Sequence, residues 1–144
     1  MLFTARKKLF GFTLIELLIV IAILGILAAA VLVAVNPGKL TRQARDAARK
    51  NDIGSLATEL QAYYTAPGQG VYPTSLGVLT AQGYLKVMPV DPTGGAYTYA
   101  TGAGWSEVSL YDVLEEPTGA VGSLFCFKTT SGVAFETTAA GCAP

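Results

Sequence analysis

From Leu14 to Val35 the chain runs for 22 residues with a single charged side chain, Glu16, and no polar face. A run that is apolar all round reads as one helix embedded in apolar surroundings rather than as a surface helix. At 1.5 Å per residue it spans about 33 Å, the thickness of the hydrocarbon core of a bilayer. Ala22, Gly25 and Ala28 to Ala30 are small, and small residues let such helices approach one another closely. Asn36-Pro37-Gly38 then interrupts the pattern. The proline removes the hydrogen bond to the Val33 carbonyl and disfavours helical geometry at Asn36, and the glycine adds freedom. A kink or a short unwound stretch is expected there.

From Lys39 to about Tyr64 the pattern is that of an amphipathic helix. Leu40, Ala44 and Ala47 lie on one stripe, and Ile53, Leu56, Ala57, Leu60 and Tyr64 continue with helical spacing. Arg42, Asp46 and Lys50 recur four residues apart, a charge ladder read as the opposite, solvated face. A contact between subunits is the sharper alternative. Ala66-Pro67-Gly68-Gln69-Gly70 ends the helix. Tyr72-Pro73-Thr74-Ser75-Leu76 starts a short helical turn with Thr74 or Ser75 as its cap. Strand patterns follow at Tyr97–Ala100, Glu107–Leu114, Leu124–Lys128 and Val133–Thr137, with Thr130-Ser131-Gly132 as a hairpin turn. The expected fold class is α+β: a long N-terminal helix, membrane-spanning then amphipathic, packed on a small antiparallel sheet.

The chain has 144 residues, the length of one domain, and roughly 105 of them follow Gly38, enough for a modest head with one core. Formal net charge is zero, with most basic residues before Asn51 and most acids after it. Arg42, Arg45, Arg49 and Lys50 could attract phosphates, but the neutral whole and the lack of interleaved aromatics argue against specific nucleic-acid binding. The chain contains no histidine, so Ser-His-Asp, Cys-His and imidazole–metal sites are excluded. Glu115 and Glu116 are adjacent, and neighbours on a strand point to opposite faces, so they do not pair for catalysis. No phosphate-binding or dinucleotide glycine motif occurs. An enzyme is not expected.

The start of the chain carries the most specific pattern: Arg6-Lys7-Lys8, then Gly11-Phe12-Thr13-Leu14-Ile15-Glu16 leading into the apolar run. It resembles the cleavage and methylation site of type IV prepilins and of the related type II secretion pseudopilins. Further on, Tyr72-Pro73, Gly83-Tyr84-Leu85, Pro89-Val90-Asp91-Pro92 and Tyr97-Thr98-Tyr99 resemble, in that order, the connecting loop of major pseudopilins and short pilins. The resemblance runs from Phe10 to about Ala100. It implies a leader over 1–11 and cutting by a prepilin peptidase after Gly11. Phe12 would be the N-methylated mature N-terminus, 12–38 a membrane and filament-core helix, and 39–144 an amphipathic helix with a globular head. It also implies the pilin fold. Pilins often unwind between a glycine, matched here by Gly25, and a proline that stands closer to it than Pro37 does.

An ordinary secretory signal cut near Ala28-Ala29-Ala30 is the rival reading. The apolar run is too long for it and continues past that cluster, and Glu16 would sit inside the signal core. By the positive-inside rule the basic end stays cytoplasmic, which places Cys126 and Cys142 on the outer side, where a disulfide between them is expected. Glu16 is expected to act in assembly, its carboxylate paired with the Phe12 amine of a neighbouring subunit. Related pseudopilins hold calcium in the head. Asp91, Asp112, Glu115 and Glu116 are candidates by residue type alone, without EF-hand spacing, and solvated surface acids are the preferred reading. No other cofactor is expected. The first functional reading is a structural subunit of a type IV pilus, a homo-oligomeric helical filament. Its partners would be the prepilin peptidase and the assembly machinery. It would be a single-pass protein of the cytoplasmic membrane before it becomes extracellular. The alternatives are the major pseudopilin of a type II secretion system and a membrane-anchored binding module that does not polymerise.

Overall fold

The computed structural model describes residues 11–119 and 123–144. The basic leader before Gly11 lies outside them. The chain divides into two compact units, one up to Pro37 and one from Gly38 to Pro144.

In the first unit, helix α1 runs from Leu14 to Val35 without interruption at Gly25. Its N-terminus is closed by a capping box. Thr13 Oγ1 accepts the Glu16 N–H at 3.3 Å, and the Thr13 N–H donates to Glu16 Oε2 at 2.8 Å. None of its residues is buried within the chain, and by length and composition it can cross a membrane. The helix stops where the residue before Pro37 must leave the helical region. Asn36 adopts a left-handed conformation (φ 45°, ψ 75°), which asparagine tolerates better than most residues. Helix α2 starts at Pro37 itself and runs to Thr65. The break is therefore narrower than the three residues expected. Proline is well suited to a first helical position, where its missing N–H has no intrahelical partner to lose.

In the second unit, α2 packs its later half on a four-stranded antiparallel meander. The strands are β1 (Thr98–Thr101), β2 (Val108–Val113), β3 (Leu124–Lys128) and β4 (Ala134–Thr137), in spatial order 1-2-3-4. Register decides what faces the helix. Leu110 lies opposite Phe127, and Phe127 opposite Ala134. With Val108 they meet Ile53, Leu56, Ala57 and Leu60 of α2 in one core. Ile53, Leu56 and Leu60 are fully buried, each contributing roughly 1.5–3 kcal/mol by leaving water. One residue along, period two turns the other face outward. There Tyr111, Cys126 and Leu124 meet Cys142 from a C-terminal 3₁₀ turn, Ala139–Cys142. Cys126 and Cys142 are joined in a disulfide with their Cα atoms 5.9 Å apart.

The segment between α2 and β1 is tied down by aromatic side chains. Tyr99 Oη donates to the Pro73 carbonyl at 2.7 Å, and Tyr64 and Tyr72 stack with ring centres 4.6 Å apart. Gly68 cannot be replaced without rearrangement, since a Cβ there would lie 2.2 Å from the Val71 carbonyl oxygen. Helix α3 (Gly77–Ala81) follows the segment expected to start a helical turn, but its N-cap is Leu76 rather than Thr74 or Ser75, and no side chain caps it. Between β3 and β4 the chain turns through Gly132 at φ +69°, whose N–H donates to the Lys128 carbonyl.

Candidate functional site

The N-terminal segment presents its groups in the open. Gly11 and Phe12 are exposed ahead of the helix, and a Cβ on Gly11 would meet nothing within 4 Å. Glu16 sits at the third helical position, where its carboxylate takes the Thr13 N–H and, at 2.7 Å, the Thr13 hydroxyl. The negative side chain lies in the first turn, the end of the helix dipole that favours it. An acid placed in an otherwise apolar helix thus has local donors, both of them on Oε2.

The second constellation lies on the first half of α2, and here the expected helix faces are reversed. Leu40, Ala44 and Ala47 are exposed, whereas Asp46 and Arg49 are buried and Arg42, Arg45 and Lys50 half-buried. The ladder is not a solvated face. Arg42 Nε donates to Glu116 at 2.6 Å, Arg45 donates to both oxygens of Glu115, and Lys50 Nζ donates to Glu136 at 2.7 Å. The sheet register explains the far end of the row. Asp112 lies opposite Phe125 and Phe125 opposite Glu136, so the apolar row facing α2 ends in two acids. Lys50 Nζ sits 5.5 Å above the Phe125 ring.

Arg49 is the hub. Its guanidinium, only 4% exposed, donates to Asp91, to Asp46 at 2.7 Å and to Glu115 at 2.9 Å, and Asp112 Oδ2 stands 3.9 Å away. Asp91 also accepts the Thr93 N–H at 2.7 Å and the Thr93 hydroxyl. Asp46 accepts the N–H groups of Glu115 and Glu116 at 2.9 and 2.7 Å. The hydrogen bond from Arg49, and then those from Thr93, hold the Asp91 carboxyl far below the usual carboxylate range. Glu115 is held down to about 2, first by Arg45 and, against a desolvation penalty, by Arg49. Burial pushes Asp112 up, and the nearby Asp91 adds to that. Burial alone would lower the Arg49 guanidinium, but hydrogen bonds to Asp91, Glu115 and Asp46 raise it instead.

The four acids proposed from residue type are thus not scattered on the surface. Glu115 and Glu116 lie beyond the end of β2 rather than on a strand, and both reach α2. Asp91, Asp112 and Glu115 converge, but on a guanidinium, and Glu116 pairs with Arg42. These residues do not fit a calcium ion, because Asp91 and Glu115 already take the Arg49 guanidinium and Glu116 takes Arg42, which leaves, of their buried oxygens, only Asp112 Oδ2 without a hydrogen-bond donor among the described residues. Among the described residues no group of three or more Asp, Glu, Cys or His is placed to hold a metal. Arg49 and Asp46 had no signal in the local sequence beyond a buried-helix spacing shared with Ile53 and Leu56.

A capped, membrane-length apolar helix followed by an amphipathic helix on a four-stranded antiparallel meander is the pilin fold. The model of the prokaryotic N-terminal methylation motif matches residues 6–32. The chain is 34% identical over 126 residues to the type II secretion system core protein G of Pseudomonas aeruginosa, covering 75% of this chain and 84% of that protein. It is 32% identical over 134 residues to the type II secretion system core protein G of Escherichia coli, covering 83% and 89%. No solved structure matches it. The chain belongs to the pilin and pseudopilin family.

Proposed function

We propose that the chain is the major pseudopilin of a type II secretion system, a structural subunit that polymerises through its N-terminal helix. The observation that carries this reading is the similarity to two type II secretion core proteins over most of the chain, head included. That similarity favours the secretion filament over the type IV pilus, the first reading from the sequence. In this reading the precursor crosses the cytoplasmic membrane once, is cut after Gly11 and methylated at Phe12. It then leaves the bilayer for a periplasmic filament whose core is built of α1 helices. A head-to-tail contact between identical subunits that does not close into a ring generates such a helix. A structural rather than enzymatic role fits the head. Its apolar hollow, lined by Leu76, Met88, Pro89, Tyr97 and Tyr99 among others, has no charged side chain in its wall.

Deleting the gene tests the proposal. Folded secretion substrates should accumulate in the periplasm while surface pili persist, and the wild-type gene should restore secretion. Loss of pili with normal secretion would return the protein to the type IV pilus. Normal secretion and normal pili, with an uncut Met1 N-terminus by mass spectrometry, would favour a membrane-anchored module that does not polymerise.

A further inference from the structure

We infer that the Arg49 guanidinium is the resident cation of the head, standing among the carboxylates where a divalent ion would otherwise be needed, so that the head folds without calcium. As at a metal site, acids from separate parts of the chain converge on one positive group, although among the described residues no three of them are placed to hold a metal. Acids arrive from three parts of the chain: Asp46 from α2, Asp91 from the segment before β1, and Asp112 and Glu115 from the end of β2. What they share is one buried positive group. A calcium ion ties loops together by collecting oxygens from separate segments at 2.3–2.6 Å. The guanidinium does the same with a planar set of five N–H donors, and its charge does not titrate. Two cations cannot share that space.

Among the described residues the remaining acids offer no second group for such an ion. Glu116 is committed to Arg42, Glu136 to Lys50 and to the N–H and hydroxyl of Thr118, and Asp52 accepts the Tyr97 hydroxyl at 2.6 Å. Of the ten acids in the chain only Glu59 and Glu107 remain in the head, one on α2 and one just before β2. Asp112 Oδ2 is buried and lacks a hydrogen-bond partner among the described residues. Its upward shift lets a proton rather than a metal relieve the excess of negative charge there.

The experiment uses the full chain in detergent micelles, with melting of the head followed by near-ultraviolet circular dichroism in excess EGTA and in millimolar calcium. All seven tyrosines and the tryptophan lie beyond Gly38, so the signal reports the head. The wild type should melt at one temperature in both buffers. Arg49→Ala opens the acid cage and should melt lower in EGTA, with calcium restoring several degrees, as expected for an ion that binds only the folded state. Arg49→Lys keeps a charge but not the fork, and should melt between the two without responding to calcium. The inference is overturned if calcium raises, or EGTA lowers, the wild-type melting temperature. It is also overturned if a folded Arg49→Ala head melts like wild type or ignores calcium. Should Arg49→Ala fail to fold, the wild-type and Arg49→Lys measurements decide the matter.

Discussion

The backbone N–H of Glu116 donates to the Asp46 carboxylate at 2.7 Å, across 70 positions of chain, and the N–H of Glu115 takes the other oxygen. One helical side chain therefore supplies the acceptors for a bend that follows β2. Asp46→Ala would leave both amides without that partner and take one carboxylate from Arg49. Each stranded amide costs about 1–3 kcal/mol, so the head should lose roughly 2–6 kcal/mol in denaturant titration. Asp46→Asn, which keeps one acceptor oxygen, should lose less. Equal losses would mean that the carboxylate is not shared as described.

Gly11 offers a test of processing that does not disturb the fold, because a Cβ there would meet nothing within 4 Å among the described residues. Gly11→Val should remain at precursor length on an immunoblot, with filaments absent. A mature-length band from that variant would place the cut elsewhere.

Glu16 caps its own helix, and a second role, as a charge for a neighbouring subunit, is the one to test. Glutamine also completes a capping box, so Glu16→Gln keeps the cap and removes the charge. If the charge sets the register between subunits, processed Glu16→Gln protein should stay in the membrane fraction and sheared filaments should fall sharply. Filaments at wild-type yield from the glutamine variant would assign the acid to capping alone.

The Cys126–Cys142 bond spans 16 positions and ties the last 3₁₀ turn to β3. Closing a loop of that size contributes about 3 kcal/mol in the chain-entropy model. Cys142→Ser should lower the melting temperature and the protein level while leaving leader cleavage intact. An unchanged melt would show that packing of the turn, not the bond, holds it.

The pH dependence of the head has a definite sign. Hydrogen bonds from Lys50 and Thr118 hold Glu136 down to about 2 from the ordinary 4.5, and Glu115 is held equally low by Arg45 and Arg49. Acids lowered in the folded state stabilise it above 4.5, and that contribution is lost as pH falls towards 2. Asp112 is shifted upward, so its protonation helps rather than harms the head. Two lowered glutamates and a strongly lowered Asp91 outweigh it. Melting temperature should be level above about pH 5 and fall between 4.5 and 2. A rise on acidification through that window would show that Asp112 dominates.

What the sequence made legible was what repeats or sits close together. The strands appear within a residue or so of where alternation placed them, because Val108, Leu110, Phe125 and Phe127 obey period two against one core. The processing motif is contiguous from Gly11 to Glu16 and needs no tertiary information. The first half of α2 was misread for a physical reason. Assigning faces by hydrophobicity assumes that the buried side is the apolar side, and Leu40, Ala44 and Ala47 satisfied that rule while facing outward. The inward side is charged because Asp91, Asp112, Glu115 and Glu116 come back to meet it from 42 to 74 positions away. No local pattern announces such partners. Residue type brought those four acids into one list, but only folding shows that an arginine collects three of them.

The sheet ends in two short strands, β1 and β4, each of four residues. An open strand edge is a template on which another copy can add, and short edges blunt that tendency. For a chain whose proposed work is to stand identical heads side by side, sheet-to-sheet fusion would be an irreversible error, closer to amyloid than to a filament that can be taken apart. In the proposed filament, short edges would keep adhesion between heads weak and leave cohesion to the greasy helix, which a membrane can take back.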